Sequence, residues 1–437
     1  MILPVITVDD AQHFQEIDGF GASLTDAAAW LFAKKLTSAQ TDAAFKSLFS
    51  RKDGIAVSFL RQPIGSSDLA VTFYSYDDLC QQTDKACTMP AGKTDLNLDR
   101  YSLAHDEEYI LPQLKKIVAI NPEIHIMLTP WSPPGWMKSS GSMLGSNADG
   151  KVPSSLRPEA YAAFANYLVK TVQGYQAAGV PVYALSVVNE PLYAPPTYSG
   201  MQMLASEQAV FLGNNLGPAL AAAHLNTKVM VYDHNWDRPD YPESVLKDSK
   251  ANAVAAGTAW HHYAGNPAVM TKNHEEFPRK DQWVTESSGG TWQKGNVLAV
   301  EAAELIAVTR NWSKSYVLWA LATDQNRGPH VGGCDTCRGL VTIDDADPSK
   351  ATVKTEVDYY VLGQASKFLL PGAVRIASDE PAGTQLKDVA FVNPNGMVVL
   401  YTLNAGAASQ NLRIAFHGKT TATTLPAGAV ATFVWKP

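Results

Sequence analysis

A chain of 437 residues, 46% hydrophobic and 18% charged, has the composition of an ordinary globular protein with material for a large core. Its net charge of −7 and the absence of any Lys/Arg block exclude the basic footprint of a phosphate-backbone binder, so nucleic acid is not an expected partner. No stretch approaches the roughly 20 consecutive apolar residues of a membrane span.

The start, MILPVITVDD, has neither the basic region nor the apolar run of a signal peptide. Apolar runs of four to eight residues that end in polar or Gly/Pro turns then recur along the chain. They predict strands at 16–22, 57–64, 124–129, 182–188, 228–232, 257–262, 282–285 and 315–321. Amphipathic stretches at 24–49, 106–119, 158–178, 207–223, 297–311 and 356–369 predict helices between and after them. Eight strand-helix units over 16–369 imply an α/β fold, a (β/α)8 TIM barrel; such barrels commonly take about 250 residues, which leaves room for a second module. Beyond Leu370 the pattern changes to short alternating runs at 389–392, 397–403, 411–416 and 429–435, broken by turn residues, and predicts an all-β accessory domain over 370–437. The segment Ile2 to Val8 alternates in the same way, so residues 1–15 are expected to add an N-terminal strand to that module.

In such barrels the chemistry lies just past the C-terminal ends of the strands. Those positions hold Arg61 running on to Asp68, Trp131, Asn189 with Glu190, Asp233 with His234, His261 with Tyr263, Glu286, and Trp319. Glycoside hydrolysis needs two facing carboxyls, one to protonate the leaving oxygen and one to attack or to activate water. Glu190 and Glu286, on the fourth and seventh strands, can both reach over the barrel mouth. Either glutamate alone reads equally well as solvated loop charge; it is the pair on these two strands that points to catalysis. Ten Trp and seventeen Tyr suit sugar stacking, although most aromatic rings in any protein are core bulk.

Asn189 can donate to a sugar 2-hydroxyl, and Arg61 can keep Glu286 ionised or simply pair inside the barrel. Glu190 must carry a proton near neutral pH, so its pKa is expected to be raised by burial and by the negative Glu286. His261 and His262 are adjacent on a strand and point to opposite faces, so they do not converge on an ion; no metal and no cofactor are expected. Asp233 near His234 reads as a hydrogen-bonded loop in preference to a substrate contact.

Cys80 with Cys87 and Cys334 with Cys337 fall in loop-like segments. Two short disulfides are the favoured reading, beside a four-thiolate zinc site, a redox Cys-x-x-Cys motif or free thiols. Disulfides imply a secreted or periplasmic enzyme whose signal peptide is missing from this sequence.

The segments Ile17-Asp18-Gly19-Phe20-Gly21, Arg61 to Asp68, Trp131-Ser132-Pro133-Pro134-Gly135-Trp136, Asn189-Glu190-Pro191 and Thr285-Glu286-Ser287 together resemble glycoside hydrolase family 30, its glucosylceramidase-like members above all. The resemblance runs over nearly the whole chain. It implies Glu190 as acid/base, Glu286 as nucleophile and a retaining mechanism, with Asp68, Trp131, Asn189, His261, Tyr263 and Trp319 shaping the first sugar subsite. The segment Gly332 to Gly339 departs from the animal glucosylceramidases and leaves the leaving-group preference open. Removal of terminal β-linked glucose is the leading expectation, because Asp68 and Trp319 by their matching positions should meet the 4-OH and 6-OH side of the first sugar. An endo-β-1,6-glucanase of the same family is the alternative, and a non-catalytic carbohydrate-binding protein a remote one. The expected partner is a carbohydrate or glycoconjugate substrate; the sequence does not specify the oligomeric state.

Overall fold

The computed structural model describes residues 3–90, 92–347 and 350–437. The first strand, β1 (Val5–Glu16), belongs to the accessory module; Ile2, with which its expected start began, lies outside the described residues. Glu16, expected to open the barrel, pairs instead with Val374. The barrel is then built from β2 (Gly19–Ser23), β3 (Phe59–Ile64), β4 (His125–Pro130), β5 (Ala184–Ser186), β6 (Lys228–Asn235), β7 (Ala255–His261), β8 (Asp281–Ser287) and β9 (Ser313–Leu318). All neighbours are parallel, and β9 pairs with β2 to close the ring.

Two of the expected helices are broken, each for a local reason. The stretch 24–49 divides into Asp26–Lys34 and Ser38–Phe49 because Thr37 and Gln40 form a reciprocal cap that starts a new helix. The stretch 106–119 divides at Tyr109, where Pro112 removes a backbone donor and would crowd the carbonyl four residues earlier. Helices at Asp240–Lys247, Ser249–Val254 and Ala268–Glu276 were not anticipated. Nor was a small sheet on the barrel rim, β10 (Ala320–Asp324), β11 (Gly339–Asp344) and β12 (Thr352–Thr355), which takes over the end of the expected eighth strand. Among the described residues no helix is long and apolar enough to cross a membrane.

The accessory module adds β13 (Val374–Ser378), β14 (Leu386–Val392), β15 (Val398–Asn404), β16 (Gln410–Phe416), β17 (Lys419–Leu425) and β18 (Val430–Trp435). With β1 they run in the order β17-β16-β1-β13-β14-β15-β18, so both ends of the chain make this sheet. It closes over a separate core that includes Ile6, Val8, Ile376, Leu400, Leu412 and Ile414. The architecture is the TIM barrel with an all-β accessory domain.

Side-chain alternation along the barrel strands sets up the site. One apolar layer, Phe59, Met127, Ala184, Met230, Ala259, Trp283 and Val317, forms a cluster of its own. Two residues further along each strand the same face is presented again, now nearer the C-terminal mouth. There the residues are Arg61, Thr129, Ser186, His261, Thr285 and Trp319, while on β6 Tyr232 packs outward against Tyr241 and Asp233 takes the inward place. An apolar plug is thus followed by a largely polar layer.

Candidate active site

Two irregularities let consecutive residues share the barrel mouth. Pairing between β6 and β7 slips after Tyr232, where Tyr232 and Asp233 both have positive φ (73° and 63°), and Asp233 is turned into the interior. Pairing of β8 with β7 and β9 slips near its end, so Thr285 and Glu286 both point inward although they are neighbours. Glu190, just past β5, has φ 46°, and its N–H donates to the carbonyl of Asp233 at 3.0 Å. Left-handed backbone at a non-glycine residue is costly, and here it aims the two carboxylates.

Arg61 lies at the centre with no exposed surface. Its guanidinium donates to Glu286 Oε2, to Asn189 Oδ1 at 2.7 Å and to Asp233 Oδ2 at 2.9 Å. It also lies 4.7 Å from the ring centre of Trp131, which is itself 4.8 Å from that of Trp319. Arg61 thus pairs inside the barrel with Asp233, as one of the two sequence readings expected, and also donates to Glu286. Because Asn189 uses its oxygen on Arg61, its amine is left to donate elsewhere. The Tyr263 hydroxyl donates to Glu286 Oε1 at 2.7 Å, so each oxygen of this carboxylate has a donor.

His261 bridges two acids, with Nδ1 at 3.0 Å from Glu190 Oε1 and Nε2 at 3.0 Å from Asp233 Oδ1. Burial disfavours its charge, but Glu286, Asp233 and Glu190 outweigh burial and push the imidazole up to about 9. It is an imidazolium at neutral pH. Asp233 also accepts from Thr285 at 2.6 Å and Ser186 at 2.8 Å; against the cost of burial, Arg61, His261 and Thr285 hold it well below the usual carboxylate range.

The expected raised pKa of Glu190 is corrected by this arrangement. Burial does raise it, but the hydrogen bond from His261 and the charges of His234, His261 and Arg61 outweigh burial, and Glu190 is lowered. Asp68 behaves oppositely. Burial, with a contribution from Glu286, pushes it up to about 7 against backbone donors that include Cys334 N–H.

One oxygen of Glu190, one of Glu286 and a ring nitrogen of His261 lie within 4.8 Å of one another. Such a set can hold a cation elsewhere. Here Arg61 and the charged His261 already neutralise it, so a further cation would meet two fixed positive charges. His262 points the other way, to Glu304 at 2.9 Å.

Over the pair opens a cavity of about 470 Å³, lined by Asp68, Trp131, Asn189, Glu190, Tyr263, Glu286 and Trp319. All of these were singled out in the sequence, whereas Arg61 and His261 lie beneath as supports. Tyr193, Tyr198 and Trp292 also line it and were missed. Their only sequence signal is an aromatic in the loop three to eight residues after Glu190 or Glu286. Both expected disulfides are present, Cys80–Cys87 and Cys334–Cys337, and the second lines the cavity.

Residues 17–369 match the glycosyl hydrolase family 30 TIM-barrel domain, and 372–433 match the family's beta sandwich domain. The chain belongs to glycoside hydrolase family 30. It is an O-glycosyl hydrolase that acts on carbohydrate. Within this family it is similar to an endo-1,6-beta-D-glucanase of Neurospora crassa, 36% identical over 401 residues, 89% of this chain and 78% of that protein. The lysosomal acid glucosylceramidase of Mus musculus is 26% identical over 456 residues, 99% and 83% of the two chains. Among solved structures, an endo-beta1,6-glucanase superposes with a TM-score of 0.88 at 30% identity, over 100% of this chain and 96% of that one.

Proposed function

We propose that this family 30 enzyme is a retaining endo-β-1,6-glucanase, with Glu286 as nucleophile and Glu190 as acid/base. The observation that carries retention is the spacing of the carboxylates. One oxygen of each carboxylate within 4.8 Å of the other supports the roughly 5 to 5.5 Å spacing of retaining enzymes over the roughly 6.5 to 9.5 Å of inverting ones.

The linkage rests on likeness and on the rim. A relative named for endo-1,6-β-glucanase action stands at 36% identity against 26% for a glucosylceramidase, so the alternative is supported over terminal-glucose release. The half-exposed Tyr193 and Trp292 offer aromatic faces to sugars beyond the cleaved one. The terminal-glucose argument also needed Asp68 as a free charge against O6. That carboxylate is shared with the N–H of Cys334 and is pushed up to about 7 by burial, which weakens the exclusion of a 6-linked chain.

In this reading a Glu286 oxygen attacks the anomeric carbon while Glu190 protonates the departing O6. Glu286 is paired with Arg61 and oriented by Tyr263. The proton lies between His261 Nδ1 and Glu190 Oε1, and a glucan chain that strips water from Glu190 favours its neutral form. Water then attacks the glycosyl-enzyme, giving its proton to Glu190 and releasing Glu286. Two disulfides support an enzyme that works in an oxidising compartment.

Digestion of a β-1,6-glucan should give a ladder of oligosaccharides from the first minutes, with the β-anomer appearing first by proton NMR. Glucose alone as the early product would return the reading to a terminal-glucose enzyme, and an α-anomer would refute retention.

A further inference from the structure

The mechanism makes no use of the Cys334–Cys337 pair, yet this disulfide forms part of the cavity wall. The turn that carries it, residues 332–338, joins two loops that do bear on substrate. On one side it closes over Asp68: Val331 N–H donates to the Asp68 carbonyl at 2.8 Å, and Cys334 N–H to its carboxylate at 3.2 Å. Gly333 makes that approach possible. Its φ is 66°, and a Cβ placed there would collide with the Asp68 side chain.

On the other side the turn lies along the loop that follows the nucleophile. Thr291 N–H donates to the Thr336 carbonyl at 3.1 Å and Arg338 N–H to the Gly289 carbonyl at 2.9 Å. The Ser288 hydroxyl meets Cys337 Sγ at 3.3 Å. Cys337 is buried in one cluster with Trp131 and Trp319. The turn is anchored below by Arg338, whose guanidinium donates to Gln293 at 2.8 Å, to Glu301 at 2.7 Å and to Asp358.

We propose that the disulfide-closed turn 332–338 is a specificity-determining wall of the glycone pocket, which sets the position of Asp68 for a sugar hydroxyl and leaves the reacting carboxylates alone. This rests on the glycosidase reading of the pocket but not on the 1,6 linkage. Without the disulfide the turn has no covalent closure, the Cys334 donor drifts, and Asp68 loses a backbone partner that favours its charge and fixes its direction. Glu286 and Glu190 keep their own partners, Arg61, Tyr263 and His261, none of which is in the turn.

The test uses inactivation by an activated 2-deoxy-2-fluoro-β-glucoside, which reads the glycone pocket whatever the natural linkage. Cys334→Ser/Cys337→Ser should raise the half-saturating concentration at least tenfold while the limiting inactivation rate stays within threefold. Gly333→Ala, which keeps the disulfide but pushes on Asp68, should do the same and covers the case in which the cysteine variant does not fold. Cys80→Ser/Cys87→Ser should leave both constants unchanged. Asp68→Ala combined with the opened turn should lose no more than the larger single effect, because both act on one contact. An unchanged half-saturating concentration, a loss confined to the limiting rate, or additive losses with Asp68→Ala would each overturn the proposal. If the fluoroglucoside labels the wild type but β-1,6-glucan is not cut, the linkage reading fails and the turn is still judged.

Discussion

Replacing Asp233 by Asn should disconnect the two halves of the catalytic machinery. This buried carboxylate accepts from Arg61, His261, Ser186 and Thr285, at 2.9, 3.0, 2.8 and 2.6 Å. An amide has one accepting oxygen, so its amine would face two of these donors. The imidazolium of His261, at about 9 against an ordinary 6.5, is stabilised by roughly 3 kcal/mol in sum. Asp233 is one of three anions responsible, and its loss should lower His261 by about one to two pH units. Because the folded value is raised, this stabilisation is fully present below about pH 6.5 and is lost as pH rises through about 9. The variant should therefore be destabilised by roughly 3 to 5 kcal/mol near neutrality, as expected for a broken buried pair, and the gap to wild type should narrow towards pH 10. The alkaline limb of kcat/KM should move to lower pH with the His261 ring titration followed by NMR. A folded variant whose His261 titration and alkaline limb stay in place would refute the reasoning.

Glu190→Ala should slow glucan and poor-leaving-group glycosides far more than dinitrophenyl glycosides, and azide should restore turnover as a β-glycosyl azide; equal losses would contradict the acid/base role. Peptide mapping after fluoroglucoside trapping should find the sugar on Glu286, and a label elsewhere would reassign the nucleophile. Tyr263→Phe removes one donor from Glu286 and should cost about tenfold or more in kcat with the melting temperature little changed, since a hydrogen bond to a charged group is worth roughly 1.5 to 3 kcal/mol. EDTA should leave the rate unchanged; loss restored by a divalent ion would mean that Glu190, His261 and Glu286 do hold one.

The barrel was legible because its determinants are local. Apolar runs of strand length, each ending in a polar or aromatic residue, mark the strands and their tips without knowledge of what packs on them. Thr37 with Gln40 is an equally local signal, a capping box inside what reads as one long helix, and Pro112 is another. The helix at Ala268–Glu276 gave no such warning, since its apolar face is slight and only Met270 and Asn273 are buried. The β10–β12 sheet was hidden for a different reason. Its first strand continues directly from β9, and only the turn of the chain at Trp319 separates the two.

At the site, residue types at strand tips revealed the two glutamates and most of the cavity lining, but not the sign of the Glu190 shift. That sign depends on which neighbour is nearest. Burial and Glu286 were foreseeable, whereas the bridge His261–Asp233 needs an irregular β6 that turns Asp233 inward, and a period-two reading puts Asp233 on the outer face. A carboxylate with an imidazolium 3.0 Å away is stabilised more than burial costs it. In the proposed mechanism the proton needed for departure is then kept one hydrogen bond away from Glu190, the acid that would deliver it. Such storage suits an enzyme whose second step needs the same residue as a base. Glu190 is already poised towards the ionised form, and on the proposed mechanism it is the arriving chain, by excluding water, that would make it an acid.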